Sequence, residues 1–494
     1  MKYFKSSLVG LILVLSLHGF AQENKFLDRK FWDSKPNVER VKTAIKNGNN
    51  PAEANSNNFD GVVYSILQET PFETITYLMS QKGNDVNKLT HDGRTYIFWA
   101  AYKGNVKLVQ YLLENGAKTD ITDDKGNTII HFAAGAGQKN TKIYDLISAK
   151  NSELIHQTNP SGANALLLAA PNDTNFKLIQ YFQSKGLDIN SVDAQGNGIF
   201  NYVAKNGNVE LMNALLEKGI KGTNQAFLFV AAGTRGKTNG IEIYKYLESV
   251  GLNPKVYNEE GVSALHIIAS RSEDVDIINY LLEAGLKVST KDNYGNTAVM
   301  NAASRNNLKV VKLLANKLEN IDNVNKEGQS ALTLAVENNT SDVVDFLINK
   351  GYDTTIIDLD GNNLVYYLVD FYSPKNRDEF LKKLNLLKDN NVDLSAVQKN
   401  GNTWFHLAVE KNSIDLLELA TTLQLKQDIN AKNSDGNTAL HIAAMKATDD
   451  AVLKFLIDKG ANKTLVTDFE ESAYDLAKEN ELLEKNNVSI EFLK

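Results

Sequence analysis

The hydrophobic and polar positions of this chain follow one recurring order along most of its length. A polar turn with a glycine comes first, then a short segment rich in alanine, a break, and a segment with an aliphatic stripe. In the copy that begins at Gly93, this order predicts one helix, helix A, from about Thr95 to Lys103 and a second, helix B, from Val106 to Asn115. Small residues in helix A allow the large residues of helix B to pack closely. The pattern therefore predicts pairs of short helices joined by polar turns.

A short phrase marks the start of each predicted helix pair. It reads GNTIIHFAA from Gly126, GNTAVMNAA from Gly295 and GNTALHIAA from Gly436. The markers, weaker copies included, begin at Gly61, Gly93, Gly126, Gly162, Gly196, Gly261, Gly295, Gly328, Gly361, Gly401, Gly436 and Glu470, and a damaged copy begins at Asn224. Their spacing is about 33 residues, and one helix pair cannot bury its apolar face alone. The pairs must therefore stack into an array.

These phrases resemble the ankyrin repeat, whose hallmark is Thr-Pro-Leu-His-x-Ala. The resemblance covers residues 38–485. It implies an all-α ankyrin-repeat solenoid: an elongated, curved array of helix–turn–helix units with β-turn fingers. The family's proline at the first helical position is replaced here, for example by Ile129, Ala298 and Ala439. Because proline preorganises that position, we expect lower stability per repeat but no change of fold.

The first residues predict a signal peptide over residues 1–21. Lys2 and Lys5 precede an apolar run from Leu8 to Leu17, and small residues lead up to cleavage after Ala21. The run is too short to span a bilayer, although an uncleaved anchor is the alternative reading. No later segment is apolar enough to span, so we expect no transmembrane segment after cleavage. The chain is expected to be exported, to a periplasm in the first place, with secretion as the alternative.

The remaining chain divides into three parts. Residues 22–59 are expected to form an N-terminal capping unit, residues 60–469 an ankyrin array of about 12 units, and residues 470–494 a C-terminal capping unit. Two units lengthen the turn between helices A and B, at residues 233–240 and 370–379. These insertions are read either as part of a docking surface or as tolerated surface loops.

Charge and cysteine content narrow the classes of partner. The chain has 53 Lys and Arg residues against 60 Asp and Glu residues, a net charge of -7, and it has 0 cysteines. An acidic chain is poorly suited to neutralise phosphates, so we expect no nucleic-acid partner. Without cysteine, neither disulfides nor a lipid-modified cysteine can form. Another protein is the expected partner.

No pattern in the chain predicts catalysis, a metal site or a cofactor. His131, His266, His406 and His441 share one position of the repeat, where the resemblance implies a structural histidine that hydrogen-bonds the start of helix A and nearby backbone. Residues 231–238 read AAGTRGKT, which lacks the first glycine of a phosphate-binding loop and follows a helix rather than a strand. The sequence therefore predicts a protein that is not an enzyme.

The resemblance implies that partners dock on the concave face, which is formed by turn tips, the residue after the glycine, and the two residues after the paired alanines. In this sequence those positions are Arg94, Tyr102, Lys103, Lys205, Asn206, Tyr294, Asn296, Ser304, Arg305, Glu337, Asn338, Glu410 and Lys411. Tyr102, Tyr294 and Arg305 are expected to contribute most, because tyrosine and arginine often anchor interfaces. The alternative is that each is a solvated helix residue.

The leading hypothesis is an extracytoplasmic scaffold that binds another protein through its concave face. Similarity to exported bacterial ankyrin proteins thought to assist periplasmic enzymes such as catalase implies an alternative, an accessory factor in oxidative-stress defence. A small-ligand carrier or an enzyme is a third possibility, and it would require a deep pocket that stacked helix pairs do not foreshadow.

Overall fold

The structure is a computed structural model that describes residues 24–149 and 151–494. The predicted signal peptide, residues 1–21, lies outside this range. The described residues form α-helices, short 3-10 helices and isolated β-bridges, with no strands. The prediction of an all-α solenoid is therefore confirmed. The chain divides into two compact units, of which the first ends at Val203 and the second comprises Ala204–Lys494.

The first unit consists of consecutive helix pairs. Its helices are α1 (Arg29–Asp33), α2 (Val38–Lys46), α3 (Gly61–Leu67), α4 (Phe72–Met79), α5 (Tyr96–Lys103), α6 (Val106–Glu114), α7 (Ile129–Gly135), α8 (Thr141–Ser148), α9 (Ala165–Ala169), α10 (Lys177–Ser184) and α11 (Ile199–Ala204), whose last residue belongs to the second unit. Short 3-10 helices occupy Lys25–Leu27, His91–Gly93, Ser152–Ile155 and Ala170–Asn172. The two helices predicted after Gly93 are confirmed as α5 and α6.

The second unit continues the same alternation. Its helices are α12 (Val209–Glu217), α13 (Ala226–Ala232), α14 (Ile241–Ser249), α15 (Ala264–Arg271), α16 (Val275–Glu283), α17 (Ala298–Arg305), α18 (Leu308–Ala315), α19 (Ala331–Asn338), α20 (Ser341–Asn349), α21 (Leu364–Phe371), α22 (Arg377–Asp389), α23 (Trp404–Glu410), α24 (Ile414–Thr422), α25 (Ala439–Lys446), α26 (Ala451–Asp458), α27 (Ala473–Glu479) and α28 (Glu481–Lys485). Two 3-10 helices lie at Pro374–Asn376 and Glu491–Leu493. The damaged marker at Asn224 still leads into a helix A, α13.

Polar side chains set where these helices begin. At α25, the Thr438 hydroxyl accepts a hydrogen bond from the His441 N–H (3.3 Å), and His441 Nδ1 accepts one from the Thr438 N–H (3.1 Å). This reciprocal pair satisfies two backbone N–H groups at the helix start. Between α5 and α6, Gly104 adopts a φ of 68° and Asn105 caps the next helix. The break between helices A and B is thus encoded locally.

The core lies where helix A and helix B pack on each other. In α5, Ala100 and Ala101 are fully buried, and in α6 Leu108, Val109 and Leu112 are fully buried. Burying a valine or leucine side chain contributes roughly 1.5–3 kcal/mol. Each helix is short, so most of its stability comes from this packing rather than from helix propensity.

Backbone hydrogen bonds join successive turns. The Lys326 N–H donates to the Tyr294 carbonyl (2.8 Å), and the Leu359 N–H donates to the Glu327 carbonyl (2.9 Å). Gly328 adopts a φ of +83°, and a Cβ added there would lie 2.8 Å from the Leu359 nitrogen. Glycine is therefore needed both for the left-handed backbone and for the close approach of the next turn. These bonds fix the spacing of the turn tips, where several predicted binding residues lie.

The two predicted insertions have different structures. Residues 233–240 form a loop between α13 and α14, with an isolated bridge between Thr234 and Lys237. The interpretation of residues 370–379 as a loop is wrong, because α22 already begins at Arg377 and is 13 residues long. Two acidic residues in its first turn suit the positive end of a helix, and Phe380 is fully buried. Most of the extra residues therefore lengthen helix B.

Candidate protein-binding surface

The four histidines of the repeat have the structural role that the resemblance implied. In His406, Nδ1 accepts a hydrogen bond from the Thr403 N–H (3.1 Å), and Nε2 lies 3.0 Å from the Asn437 carbonyl. His131, His266 and His441 make the same two kinds of contact. Burial lowers the pKa of all four imidazoles. Each neutral ring ties the start of its helix A to backbone of the following turn region.

Arg94 is buried rather than exposed, with 6% of its surface accessible. Its guanidinium donates to Asp123 (2.8 Å), pairs with Asp92 (3.1 Å) and lies 4.1 Å from the centroid of the Phe132 ring. The expectation that the Arg94 side chain is exposed on the concave face is therefore wrong. The side chain joins two successive turns because the position after the glycine places it within reach of the next turn's buried aspartate.

The other two candidates of the first unit are partly engaged inside the protein. Tyr102 is 37% exposed, and its ring stacks on Phe132 with the centroids 5.8 Å apart. Lys103 forms an ion pair with Glu69 (3.0 Å) at the end of the preceding helix A. Both side chains reach the surface, so a role in binding stays a prediction for them.

Four of the predicted residues meet in one groove of the second unit. The groove has a volume of about 390 Å³ and is lined by Tyr294, Asn296, Ser304 and Arg305 together with residues of the neighbouring repeats. We call it the Tyr294 groove. Residues within 294–296 and 325–329 of two successive turns line it, together with residues of α15, α17 and α19. The repeat register predicted these four residues separately, and the structure places them around one concave site.

The rim of the Tyr294 groove carries an exposed aromatic ring and an exposed cation. Tyr294 is 61% accessible. Arg305, the last residue of α17, is exposed and has no carboxylate partner among residues 24–149 and 151–494. Both residues line the same groove, and tyrosine and arginine are among the residue types that most often anchor interfaces.

Side-chain amides form the wall of the groove and are held in place by their own hydrogen bonds. Asn325 Nδ2 donates to Asn296 Oδ1 (3.1 Å) and to Gln329 Oε1 (3.0 Å). Asn301 Nδ2 donates to the His266 carbonyl (3.1 Å). The contacts of Asn325 with Asn296 and of Asn301 with His266 join successive repeats, and the contact with Gln329 lies within one turn. Together they fix the amide orientations before any partner binds.

The sequence reasoning missed Ser270 and Arg271. Ser270 lines the Tyr294 groove, and Arg271 is exposed at the end of α15. The pair Ser270-Arg271 stands at the same register as Ser304-Arg305 in the next repeat. The repetition of Ala-Ser-Arg at this register, in residues 269–271 and 303–305, was the signal that could have identified the pair.

The remaining candidates lie outside the groove. Lys205 and Asn206 are half-buried, and burial together with the charge of Arg271 lowers the pKa of Lys205. Glu337 is half-buried beside the exposed Asn338, and burial, with the charges of Asp370 and Glu327, raises the pKa of Glu337.

Glu410 and Lys411 are exposed but paired. Lys411 forms an ion pair with Asp370 (2.5 Å), and Glu410 forms one with Lys446. These positions therefore offer a partner less free charge than Arg305 does.

The described part of the chain contains no group of three or more His, Cys, Asp or Glu side chains that could hold a metal ion. Among the helices of the same residues, none combines the length and the apolar character needed to cross a membrane.

Fold and surface together define a helix-pair repeat protein with an open concave site. A family model described as "Ankyrin repeats (3 copies)" matches residues 63–152, 228–323, 265–358 and 371–467, more than half of the chain. The chain therefore belongs to the ankyrin-repeat family. Ankyrin repeats generally mediate protein–protein binding, and the fold is typically a non-enzymatic binding scaffold.

Individual relatives share only part of their length with this chain. The phosphocholine transferase AnkX of Legionella pneumophila is 29% identical over 131 residues, which is 26% of this chain and 14% of that protein. The transient receptor potential cation channel subfamily A member 1 of Homo sapiens is 26% identical over 284 residues, 53% of this chain and 24% of that protein. The chain thus spans well under two thirds of these relatives. The crystal structure of the human ASB11 ankyrin repeat domain is 20% identical and covers 46% of this chain and 97% of its own, with a TM-score of 0.37.

Proposed function

We propose that the chain is an extracytoplasmic, non-catalytic ankyrin-repeat scaffold that binds another protein through the turn tips and helix A ends of its second unit. The observation that carries the proposal is the Tyr294 groove. Tyr294, Asn296, Ser304 and Arg305 come from one repeat and line the same concavity. Neighbouring repeats complete it, as expected of a surface that a stacked array presents to a partner.

The size and lining of the groove favour a protein ligand over an enclosed small molecule. Its volume of about 390 Å³ lies near the lower end of the roughly 300–1,000 Å³ range of small-molecule pockets. Such pockets are mostly apolar, whereas seven of the twelve residues that line this groove carry a side-chain amide or hydroxyl. An open, polar concavity with an aromatic rim suits one or two side chains of a protein partner, and the flanking turns extend the contact area.

Export is supported by the N-terminal pattern, in which Lys2 and Lys5 precede the apolar run that ends before Ala21. N-terminal sequencing of the chain recovered from the envelope of an exporting bacterium tests this part. The expected mature chain begins at Gln22. Recovery of the uncleaved chain in the cytoplasm would contradict export and leave the binding proposal standing.

A cross-linking pull-down from the same envelope tests binding. The wild-type chain is compared with the double variant Tyr294→Ala/Arg305→Ala and with the matched control Phe469→Ala/Lys446→Ala. Phe469 precedes the marker Glu470 as Tyr294 precedes Gly295, and Lys446 stands at the register of Arg305.

A single protein retained by the wild type and the control but lost by the double variant is the expected result. Equal capture by all three chains would show that binding occurs elsewhere. Capture by none would overturn the scaffold function.

A further inference from the structure

We infer that the Tyr294 groove selects an extended segment of its partner that carries a carboxylate next to an apolar side chain. The inference rests on the proposed function and names the chemistry of the partner at that site. Three observations carry it: the unpaired state of Arg305, the free hydrogen-bonding groups around it, and a row of exposed apolar residues on the adjoining turns.

The pairing of cations differs along the ends of helix A. Lys103, Lys411 and Lys446 each have a carboxylate partner on a neighbouring repeat. Arg271 and Arg305, which lie on successive repeats at the same register, have none within the described residues. Since the whole chain is acidic, with a net charge of -7, two adjacent arginines without an internal partner mark a local preference for an anion. A guanidinium binds a carboxylate through two parallel hydrogen bonds.

Hydrogen-bonding groups near Arg305 complete a site for a peptide rather than for a bare anion. Asn296 Oδ1 accepts a hydrogen bond from Asn325, while the two N–H groups of the Asn296 side-chain amide have no partner among the described residues. Ser304, which carries a hydroxyl, also lines the groove. Lys326 and Glu327 line it as well, and their opposite charges offset each other, so Arg305 supplies the net positive charge. Amide and hydroxyl groups beside a guanidinium match a peptide backbone that flanks an acidic side chain.

An apolar row adjoins the groove along the turns. Val324, Ile357 and Val397 each stand four residues before the turn glycine of successive repeats, and they are 36%, 60% and 50% exposed. Tyr294 adds an aromatic ring that is 61% exposed. Backbone hydrogen bonds join these turns, so the row follows the direction in which the repeats stack. A partner segment that lies along the turns would therefore place apolar side chains on this row and a carboxylate on Arg305.

Selection of a random dodecapeptide library displayed on phage tests the inference on the full mature chain. Wild-type protein, Arg305→Glu and the register-matched control Lys446→Gln are used as baits in parallel, since Lys446 ends its helix A as Arg305 does. The wild type and the control are expected to enrich peptides with Asp or Glu at a fixed distance from an apolar residue. Arg305→Glu is expected to lose these peptides and to favour Lys or Arg at the same place. Enrichment without a carboxylate, or the same peptides on Arg305→Glu, would overturn the inference, as would no enrichment at all.

A double-mutant cycle on one enriched peptide then separates a direct contact from a general charge effect. Fluorescence anisotropy measures four affinities, with Arg305 or Gln in the protein and Asp or Asn in the peptide. Each single change is expected to weaken binding about tenfold or more, and the second change to add little. Independent losses that multiply would overturn the contact between Arg305 and the carboxylate. In either case, a partner captured by the pull-down would still establish the scaffold function.

Discussion

Two contacts between successive repeats of the second unit, which we call joints, differ in the side chain that donates to the free carbonyl groups at the end of a helix A. In the first, Asn306 Nδ2 donates to the carbonyls of Ala269 (2.9 Å) and Ser272 (2.8 Å) in the repeat before it. These carbonyls belong to the end of α15, where a helix leaves acceptors without partners. The next repeat does the same through Asn339. A neutral side-chain amide therefore joins these repeats.

In the joint that follows, a charged residue replaces the amide. Lys383 of α22 is fully buried, and its Nζ donates to the Val336 carbonyl (2.8 Å) at the end of α19. The Nζ atom lies 3.2 Å from the centroid of the Phe371 ring. Burial, opposed in part by the charge of Glu379, lowers the pKa of Lys383 to about 7.

The insertion explains the difference between the joints. By adding residues before and at the start of α22, it displaces the position that carries Asn306 and Asn339 in the preceding repeats. A long side chain from the middle of α22 instead reaches the Val336 carbonyl, which corresponds to the Ala269 and Ala303 carbonyls, and the neighbouring Ala335 carbonyl (3.4 Å). An amide has no charge to desolvate, whereas a lysine does. The comparison shows that a repeat can keep a hydrogen bond to the preceding helix end across an insertion, and the lowered pKa of Lys383 leads us to expect a dependence on pH there.

The largest expected effect comes from removing the amide. Asn306→Ala leaves the buried carbonyls of Ala269 and Ser272 without a donor, which is expected to destabilise this joint by about 2–4 kcal/mol. Hydrogen exchange of the peptides that cover α15 and α17 measures the loss. The exposed Asn338→Ala serves as control and is expected to change local stability by less than about 0.5 kcal/mol. Equal effects of the two substitutions would contradict the role of Asn306.

The second effect is the pH dependence of the lysine joint. The pKa of Lys383 is lower in the fold than in the unfolded chain, so the unfolded state binds more protons between the two pKa values, and stability rises with pH in that window. Below about pH 7 Lys383 is charged in both states, so the destabilisation caused by burying its ammonium group is fully present. From pH 6 to pH 9 the wild type is expected to gain about 2–3 kcal/mol relative to Lys383→Met, which has no titrating group.

Urea unfolding monitored through Trp404 measures this gain. Trp404 is buried in α23, in the repeat that follows the joint, and is the only tryptophan left after Trp32→Phe and Trp99→Phe. Parallel pH profiles for the wild type and Lys383→Met would show that Lys383 does not titrate in this range.

A third, smaller effect tests the carboxylate of the same joint. Glu379 accepts a hydrogen bond from the Ser341 N–H (2.5 Å) at the start of α20. Glu379→Gln is expected to destabilise the joint by about 1 kcal/mol and to move the pH profile of Lys383 to lower pH, because Glu379 raises the pKa of Lys383. The Trp404 assay reports both changes. An unchanged pH profile in Glu379→Gln would show that the Glu379 charge does not affect the titration of Lys383.

The smallest effect is expected at an exposed ion pair. Lys411→Gln removes the pair with Asp370 and is expected to change stability by less than about 0.5 kcal/mol, with the difference vanishing at high salt. Urea unfolding at low and high ionic strength measures it. A loss of stability as large as that expected for Asn306→Ala would contradict this account, because it would mean that surface ion pairs stabilise the joints as strongly as buried hydrogen bonds do.

The repeat pattern was sufficient to predict the fold, because each unit carries its own turn glycine, cap and apolar stripe. The register also predicted Tyr294 and Arg305 as concave-face positions, and it is the structure that places both in one groove. It could not predict that Arg94 is buried, since that depends on Asp123 one repeat later. Nor could it predict the length of α22 or the burial of Lys383, because an insertion breaks the register on which the prediction relied.

The central claim is that the Tyr294 groove binds a partner protein, and hydrogen exchange on the complex tests it most directly. The chain is compared alone and with the captured partner. We expect slowed exchange in the peptides that contain residues 294–305 and 325–329, and little change in the loop at residues 233–240. Protection confined to that loop or to the first unit would contradict the claim.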